Sequence, residues 1–282
     1  MEIFNTKSDL RNYLESLQLH GKKVALVPTM GALHEGHLSL IHQAQHAADI
    51  VVCSIFVNPT QFNDPKDLEK YPRPIENDIE LLQAQGCDVL FLPSVEEMYP
   101  KNDESWSIDL GRLDQIWEGA KRPGHFQGVT QIVYKLFKLV QPDYACFGQK
   151  DFQQVMVIQR MLEIKNLDIK LIICPIIRDA NGLALSSRNA RLSTEGKQKA
   201  LVLSKALRFI RENFRELPAS DLKAKSTEII QQEDGVEIEY LAISESRTLE
   251  EVTDFQANKK YVAHIVAWVE GVRLIDNMLL ND

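Results

Sequence analysis

The sequence predicts an α/β fold: a parallel sheet with helices on both faces over residues 1–177, then a smaller α+β domain over residues 178–282. Three observations carry this reading. Apolar, β-branched runs alternate with helical runs from residue 22 to about 178. Beyond that point the order changes to helices first and strands after. A length of 282 residues allows one large domain or two ordinary ones. Strands apolar on both faces and separated by helices imply parallel pairing, because crossover helices cover both sides of the sheet.

Each element follows from its local pattern. "KKVALVP" reads as a buried strand, and "HLSLIHQAQHAA" as a helix with Leu38, Ile41, Ala44 and Ala48 on one face. "DIVVCSIFVNP" is a second strand, and "IENDIELLQAQG" a helix that stops at Gly86, a C-cap residue. "CDVLFLPS" is a strand, "VTQIVYKLFKLVQ" a helix halted by Pro142, and "DYACFGQ" a strand. "DFQQVMVIQRMLEIKNL" (helix) and "IKLIICPIIR" (strand) complete the alternation. The Met and Phe residues of "VMVIQRMLEI" and "YKLFKLV" stand at helical spacing and are assigned to the core. In the second segment "LSTEGKQKALVLSKALRFIREN" is a long helix with Ser193 as N-cap, and "ASDLKAKSTEIIQQE" another. "VEIEYLAISE" and "KYVAHIVAWVEGVRLIDNMLL" supply the strands of a smaller sheet.

Bulk properties exclude some classes of function. Hydrophobic residues make up 44% and charged residues 26%, as in globular proteins. The net charge of −8, from 32 basic and 40 acidic residues, argues against nucleic acid as the main partner, since phosphate backbones require a basic surface. Cys53, Cys87, Cys146 and Cys174 are widely spaced, with no CxxC pair, and read as buried free thiols in a reducing compartment. The N-terminus is acidic and amphipathic, unlike a signal peptide, and no apolar run approaches the roughly 20 residues of a membrane span. A cytoplasmic protein without membrane partners is expected.

The chemistry concentrates where strands end. In "LVPTMGALHEGHLSLI" a strand ends near Pro28 and a helix begins between His34 and Leu38. Gly31 and Gly36 let the backbone approach a ligand, and the helix start offers unpaired N–H groups and a positive dipole end that favour phosphate. His37 would sit in the first helical turn, exposed, where it can donate to phosphate oxygens. The glycine spacing matches GxxxxGK[ST], but His37 and Leu38 replace the lysine and the Ser/Thr, so this is no P-loop. "HEGH" is also one residue short of HExxH, and no third-ligand cluster accompanies it for zinc. Taken alone, the turn is equally readable as structural packing. Four further stretches add to it: Asn58 and Gln61 in "FVNPTQF", Arg122 and His125 in "RPGHFQGV", Lys150, Asp151 and Gln154 in "FGQKDFQQ", and Ser186, Ser187 and Arg188 in "LSSRN". Each alone can be a turn, a cap or a solvated face. Most fall at or near carboxyl ends of strands, where open α/β sheets bind ligands. His42 and His46, spaced i, i+4, read as a solvated face; His20 and His264 read as isolated.

In this order and spacing, "PTMGALHEGHLSLI", "FVNPTQF", "YPRP", "RPGHF", "GQKDFQQ" and "LALSSRN" resemble the signature segments of the pantoate–β-alanine ligases, over residues 22 to 280. The HxGH turn alone indicates only the wider nucleotidyltransferase superfamily. The resemblance implies a Rossmann-like ATP-binding domain and a smaller C-terminal domain that covers the site. It implies condensation of pantoate with β-alanine through a pantoyl-adenylate, with release of pyrophosphate and AMP. It implies Mg²⁺ and a homodimer. Carried over by position, ATP would be held by Met30, Gly31, Ala32, Leu33, His34, Glu35, Gly36 and His37, by Gly148, Gln149, Lys150 and Asp151, by Ile177, and by Leu185, Ser186, Ser187 and Arg188. Gln61 would bind pantoate and then β-alanine, and Gln154 pantoate. His37, Lys150 and Arg188 would be catalytic. Gln149 stands where many family members have glutamate, and Ile177 where many have valine. Arg122 and His125 would serve the pyrophosphate end or hold loops. The competing readings are another HxGH adenylyltransferase and a nucleotide-binding module without catalysis.

Overall fold

The structure, a computed structural model, describes residues 1–281. Its backbone divides into two compact units: Met1–Gly148 with Gln153–Pro175, and Gln149–Phe152 with the chain from Ile176 onward. The division falls at Pro175/Ile176 rather than 177/178, and it detaches the four residues 149–152 from the first unit.

The first unit opens with β1 (Glu2–Phe4) and α1 (Lys7–Leu19), the latter capped by Thr6, whose side chain accepts from Asp9 N. Neither was assigned as an element from sequence: β1 is three residues on a sheet edge and too short to display a periodicity, whereas α1 accounts for the amphipathic pattern of the N-terminus. Then follow β2 (Val24–Thr29), α2 (Glu35–Ala47), β3 (Ile50–Ile55), a 3-10 turn (Pro59–Gln61), α3 (Pro65–Glu69), α4 (Ile75–Ala84), β4 (Val89–Phe91) and α5 (Val95–Met98). The unit closes with α6 (Trp117–Lys121), α7 (His125–Val140), β5 (Tyr144–Gly148), α8 (Phe152–Lys165) and β6 (Lys170–Cys174). Helix α7 starts four residues earlier than the apolar pattern suggested. Gly128, a poor helix former, lies inside it because the helix presses on the Pro59–Gln61 turn there, leaving no room for a side chain.

The six strands are all parallel, in the order β1-β4-β3-β2-β5-β6. Strand alternation splits the core in two. Val24, Leu26, Val52, Val89, Phe91, Ala145 and Phe147 face a layer that includes Leu10, Phe126, Val133, Ile158 and Met161. Ala25, Val27, Val51, Cys53, Leu90 and Cys146 face Ile41, Ala44 and Leu82. Both faces of the central strands are buried, which is why these strands read as continuous apolar runs. All four cysteines are free and buried. Strand order reverses at β2, whose neighbours are β3 and β5, so the crevice-forming switch point lies at the carboxyl end of β2. Thr29 pairs with Ile55, so the β2 and β3 exits are level.

In the second unit α9 (Thr194–Asn213) and α10 (Ala219–Gln231) precede the antiparallel sheet β7-β8-β9 (Val236–Glu245, Tyr261–Val269, Val272–Leu279). Ser193 caps α9, accepting from Gly196 N. Ala200, Leu203, Leu207 and Ile210 form a helical stripe that buries Ala263, Ile265 and Ala267, the inward alternates of β8. Among the described residues no helix is long and apolar enough to cross a membrane.

Candidate active site

The turn after β2 is strained and firmly anchored. Gly31 (φ +79°) and Ala32 (φ +51°) are consecutive left-handed residues. A side chain at Gly31 would press on Asp78 Oδ2 and Ile55 Cγ2, each 3.0 Å from an added Cβ. The left-handed conformation costs an alanine on the order of 1–2 kcal/mol. What holds it is Asp78, a fully buried residue of α4. Its Oδ2 accepts from Ala32 N and its Oδ1 from Leu33 N, both at 2.8 Å. Burial raises the Asp78 carboxyl pKa, opposed by these two N–H donors. Thr29 Oγ1 adds a third tie: it accepts from Gly31 N and donates to Ser54 O.

That turn delivers the start of α2. His34 is the N-cap, its Nδ1 accepting from Gly36 N at 3.1 Å, which leaves the proton of a neutral ring on Nε2. His37 stacks on it, ring centroids 4.1 Å apart and planes at 36°. Both imidazoles are half-buried; His37 is less exposed than a turn histidine was expected to be. Two rings side by side at a helix N-terminus make an anion-favouring corner.

Gln61 belongs to the level exit of β3. Its side chain is oriented by a chain of bonds that begins at a main-chain oxygen. Asn58 Nδ2 donates to Gly128 O (3.1 Å), which can only accept; this fixes the Asn58 amide, whose Nδ2 also donates to Gln61 Oε1 (3.1 Å). Asn58 Oδ1 accepts from Tyr99 OH (2.8 Å) and Thr60 Oγ1 (3.1 Å). Burial pushes the Tyr99 phenol up to about 12, so it remains a donor. The Gln61 NH₂ therefore points at Met30 Sδ, 2.9 Å away. A thioether is a weak acceptor, readily exchanged for a substrate oxygen. The structure thus joins Met30 and Gln61. Gln154 is half-buried in the first turn of α8.

In the second unit, Gln149–Asp151 form a 3-10 turn sewn to β9 by one side chain. Asn277 Nδ2 donates to Lys150 O (2.8 Å) and Gln149 O (3.0 Å), and its Oδ1 accepts from Gln149 Nε2 (3.2 Å). A glutamate at 149 would have no N–H for that last bond, so the glutamine suits its neighbour here. Asp276 Oδ1 accepts from Asn277 N, and Asp276 is bound through both oxygens by Arg178 at 2.7 and 2.9 Å. The expected segment 177–188 is a compact loop. Leu185 N donates to Ile177 O, and Ser186 starts a 3-10 turn by accepting from Arg188 N. Ser187 and Arg188 are half-buried, Asp151 exposed.

Several residues of this framework were not singled out in the sequence. Asp78 shares a helical face with Ile75, Ile79 and Leu82, and an acid on an apolar stripe was a usable signal. Tyr99 and Asn277 carry none, because their partners are distant in the chain. His264 is not isolated: it is buried, bonds Ser244 and packs on Phe152 at 5.7 Å between centroids. His42 and His46 are exposed and in mutual contact. Among the described residues no group of three or more His, Cys, Asp or Glu side chains could hold a metal ion.

Comparison with known proteins decides the family. The family model for pantoate-beta-alanine ligase matches residues 2–279. The chain belongs to the pantoate-beta-alanine ligase family. It is thereby an amide-forming ligase. The pantothenate synthetase of Cytophaga hutchinsonii is 47% identical over 96% of both chains, and that of Porphyromonas gingivalis 46% identical over the whole of both. The crystal structure of pantothenate synthetase from Thermus thermophilus superposes with a TM-score of 0.93 at 40% identity over all of both chains. Pantoate-beta-alanine ligase from Francisella tularensis, crystallised with an ATP compound and beta-alanine, gives 0.81 at 35% identity over 99% of this chain and 98% of that one.

Proposed function

We propose that this ligase condenses pantoate with β-alanine at the expense of ATP, through a pantoyl-adenylate. The observation that carries this reading is the corner made by His34 and His37 at the α2 N-terminus, at the switch point of the sheet. Such a corner suits a triphosphate, and family membership supplies the acceptors.

In the first step a pantoate carboxylate oxygen attacks the α-phosphorus of ATP. The bond to the bridging oxygen breaks and pyrophosphate leaves. In the second, the β-alanine amine attacks the acyl carbon, loses a proton, and AMP departs. The nucleophiles come from the substrates, so the protein's task is positioning and charge stabilisation. We assign the Met30–His37 turn to ATP, with His37 donating to phosphate oxygens as charge develops. Lys150 and Arg188 add positive charge, Arg188 as a two-pronged donor. Gly148, Gln149, Asp151, Ile177, Leu185, Ser186 and Ser187 complete nucleotide binding. Gln61 and Gln154 recognise pantoate, since an amide pairs with hydroxyl and carboxylate together. Gln61 then serves β-alanine. Mg²⁺ would arrive on the triphosphate, with water and phosphate ligands, as is usual for this ion. A cytoplasmic homodimer remains part of this reading, and sedimentation would test its assembly state.

The test is isotope exchange. With ATP, Mg²⁺ and pantoate but no β-alanine, label should pass from pyrophosphate into ATP. Formation of ADP without exchange would mean an acyl-phosphate route and overturn the mechanism; neither product would mean a binding module.

A further inference from the structure

We propose that Arg122 and His125 are positioning residues for the substrate-binding amide of Gln61, acting through its main-chain carbonyl. This rests on the assignment of Gln61 to the substrates. His125 is the first residue of α7 and is buried. Its Nδ1 lies 2.8 Å from Gln61 O, and its Nε2 lies 3.0 Å from Arg122 Nη1. A carbonyl only accepts and a guanidinium only donates. Both neighbours therefore demand one ring state: neutral, with the proton on Nδ1. Arg122 selects the tautomer, and the tautomer supplies the donor that Gln61 O requires. Arg122 Nη2, at 3.5 Å, leans on the same carbonyl.

The location makes this bond consequential. The 3-10 turn closes with Gln61 N to Asn58 O and Phe62 N to Pro59 O, so the Gln61 carbonyl lies beyond the turn's own ladder. Asn63 Nδ2 donates to Pro123 O at 2.5 Å, a second tie between the same two segments. Asn58 Nδ2 to Gly128 O is a third. The start of α7 thus holds the Gln61 main chain on one side while Asn58 holds its side chain on the other. An amide that must serve pantoate and then β-alanine cannot borrow its orientation from either substrate. Both ring nitrogens of His125 are committed within the protein, which separates this role from contact with pyrophosphate.

The test uses His125→Asn, His125→Ala and Arg122→Met in the full-length enzyme, with Gln61→Ala in parallel and rates normalised to the folded fraction. Asparagine places its Nδ2 near the Nδ1 position and keeps the donor. His125→Ala should lower kcat/KM for pantoate by about 10²-fold, the scale of a misplacement near 1 Å, with KM for ATP within about twofold. His125→Asn should recover most of that loss. Nitrogen-15 NMR of the wild type should show the His125 proton on Nδ1, and Arg122→Met should shift it towards the other tautomer. Equal damage from Asn and Ala, equal effects on ATP and pantoate, or a proton on Nε2 in the wild type would overturn the proposal. Normal His125 variants beside a crippled Gln61→Ala would sink it alone; an active Gln61→Ala would sink the assignment of Gln61 and the proposal with it.

Discussion

Replacing Gly128 by alanine sets two opposing effects against each other, and the structure decides the sign. In an open helix interior Gly→Ala stabilises by about 1 kcal/mol. Here the added Cβ would lie 2.5 Å from Thr60 C and 2.8 Å from Gln61 N, and closer still to Thr60 O. Carbon contacts settle at about 3.5–4.0 Å, so the Pro59–Gln61 turn must retreat by on the order of 1 Å. Backbone cannot swing aside as a side-chain tip can, and overpacking of this kind costs about 1–3 kcal/mol. The net expectation is a destabilisation of up to about 2 kcal/mol, seen as a melting temperature lower by several degrees. Function should suffer more than stability. The retreat pulls Gln61 from Met30 and stretches the bond from Asn58 to Gly128 O, with a loss of about 10²-fold in kcat/KM for pantoate. Pyrophosphate release measured over a pantoate series, beside a calorimetric scan, checks both halves. A variant that melts higher than wild type with unchanged pantoate kinetics would refute the close-approach argument.

Two further changes test other parts of the framework. Asp78→Asn keeps the shape but turns an NH₂ towards one of the two N–H groups now facing a carboxylate oxygen, at a cost of about 1–3 kcal/mol. Titration with a non-hydrolysable ATP analogue should show weaker binding, and wild-type affinity would mean the Met30–His37 turn holds without Asp78. Glu270 accepts from Ser193 N and Oγ at the start of α9, and these bonds lower its pKa from the ordinary 4.5. A depressed carboxylate contributes stability that is full above pH 4.5 and is lost as pH falls through the folded value. The melting temperature of Glu270→Gln should therefore converge on that of wild type as pH falls below 4.5; a constant gap would show that the Ser193 bonds do not depend on the Glu270 charge.

How much of this was legible in the sequence depends on the range of the forces involved. The alternation of apolar strands and helices determined a doubly covered parallel sheet, because burial on both faces writes itself into each strand as an unbroken apolar run. The β2 exit, the glycines and His34 and His37 were equally readable, since turn, cap and first helical turn are set by neighbours a few residues away. The family signature likewise needs only order and spacing. The sequence did not reveal what keeps those groups still. Ala32 is held left-handed by Asp78, Gln61 by Asn58, Tyr99 and His125, and Lys150 by Asn277. Asn58 apart, which stands three residues from Gln61, these partners lie tens of residues away or more, and a buried polar group commits to a particular acceptor only when packing has removed water as the alternative. Gly128 is the plainest case. Along the chain it is a weak residue inside a helix, and only the Thr60 carbonyl against its Cα makes it necessary.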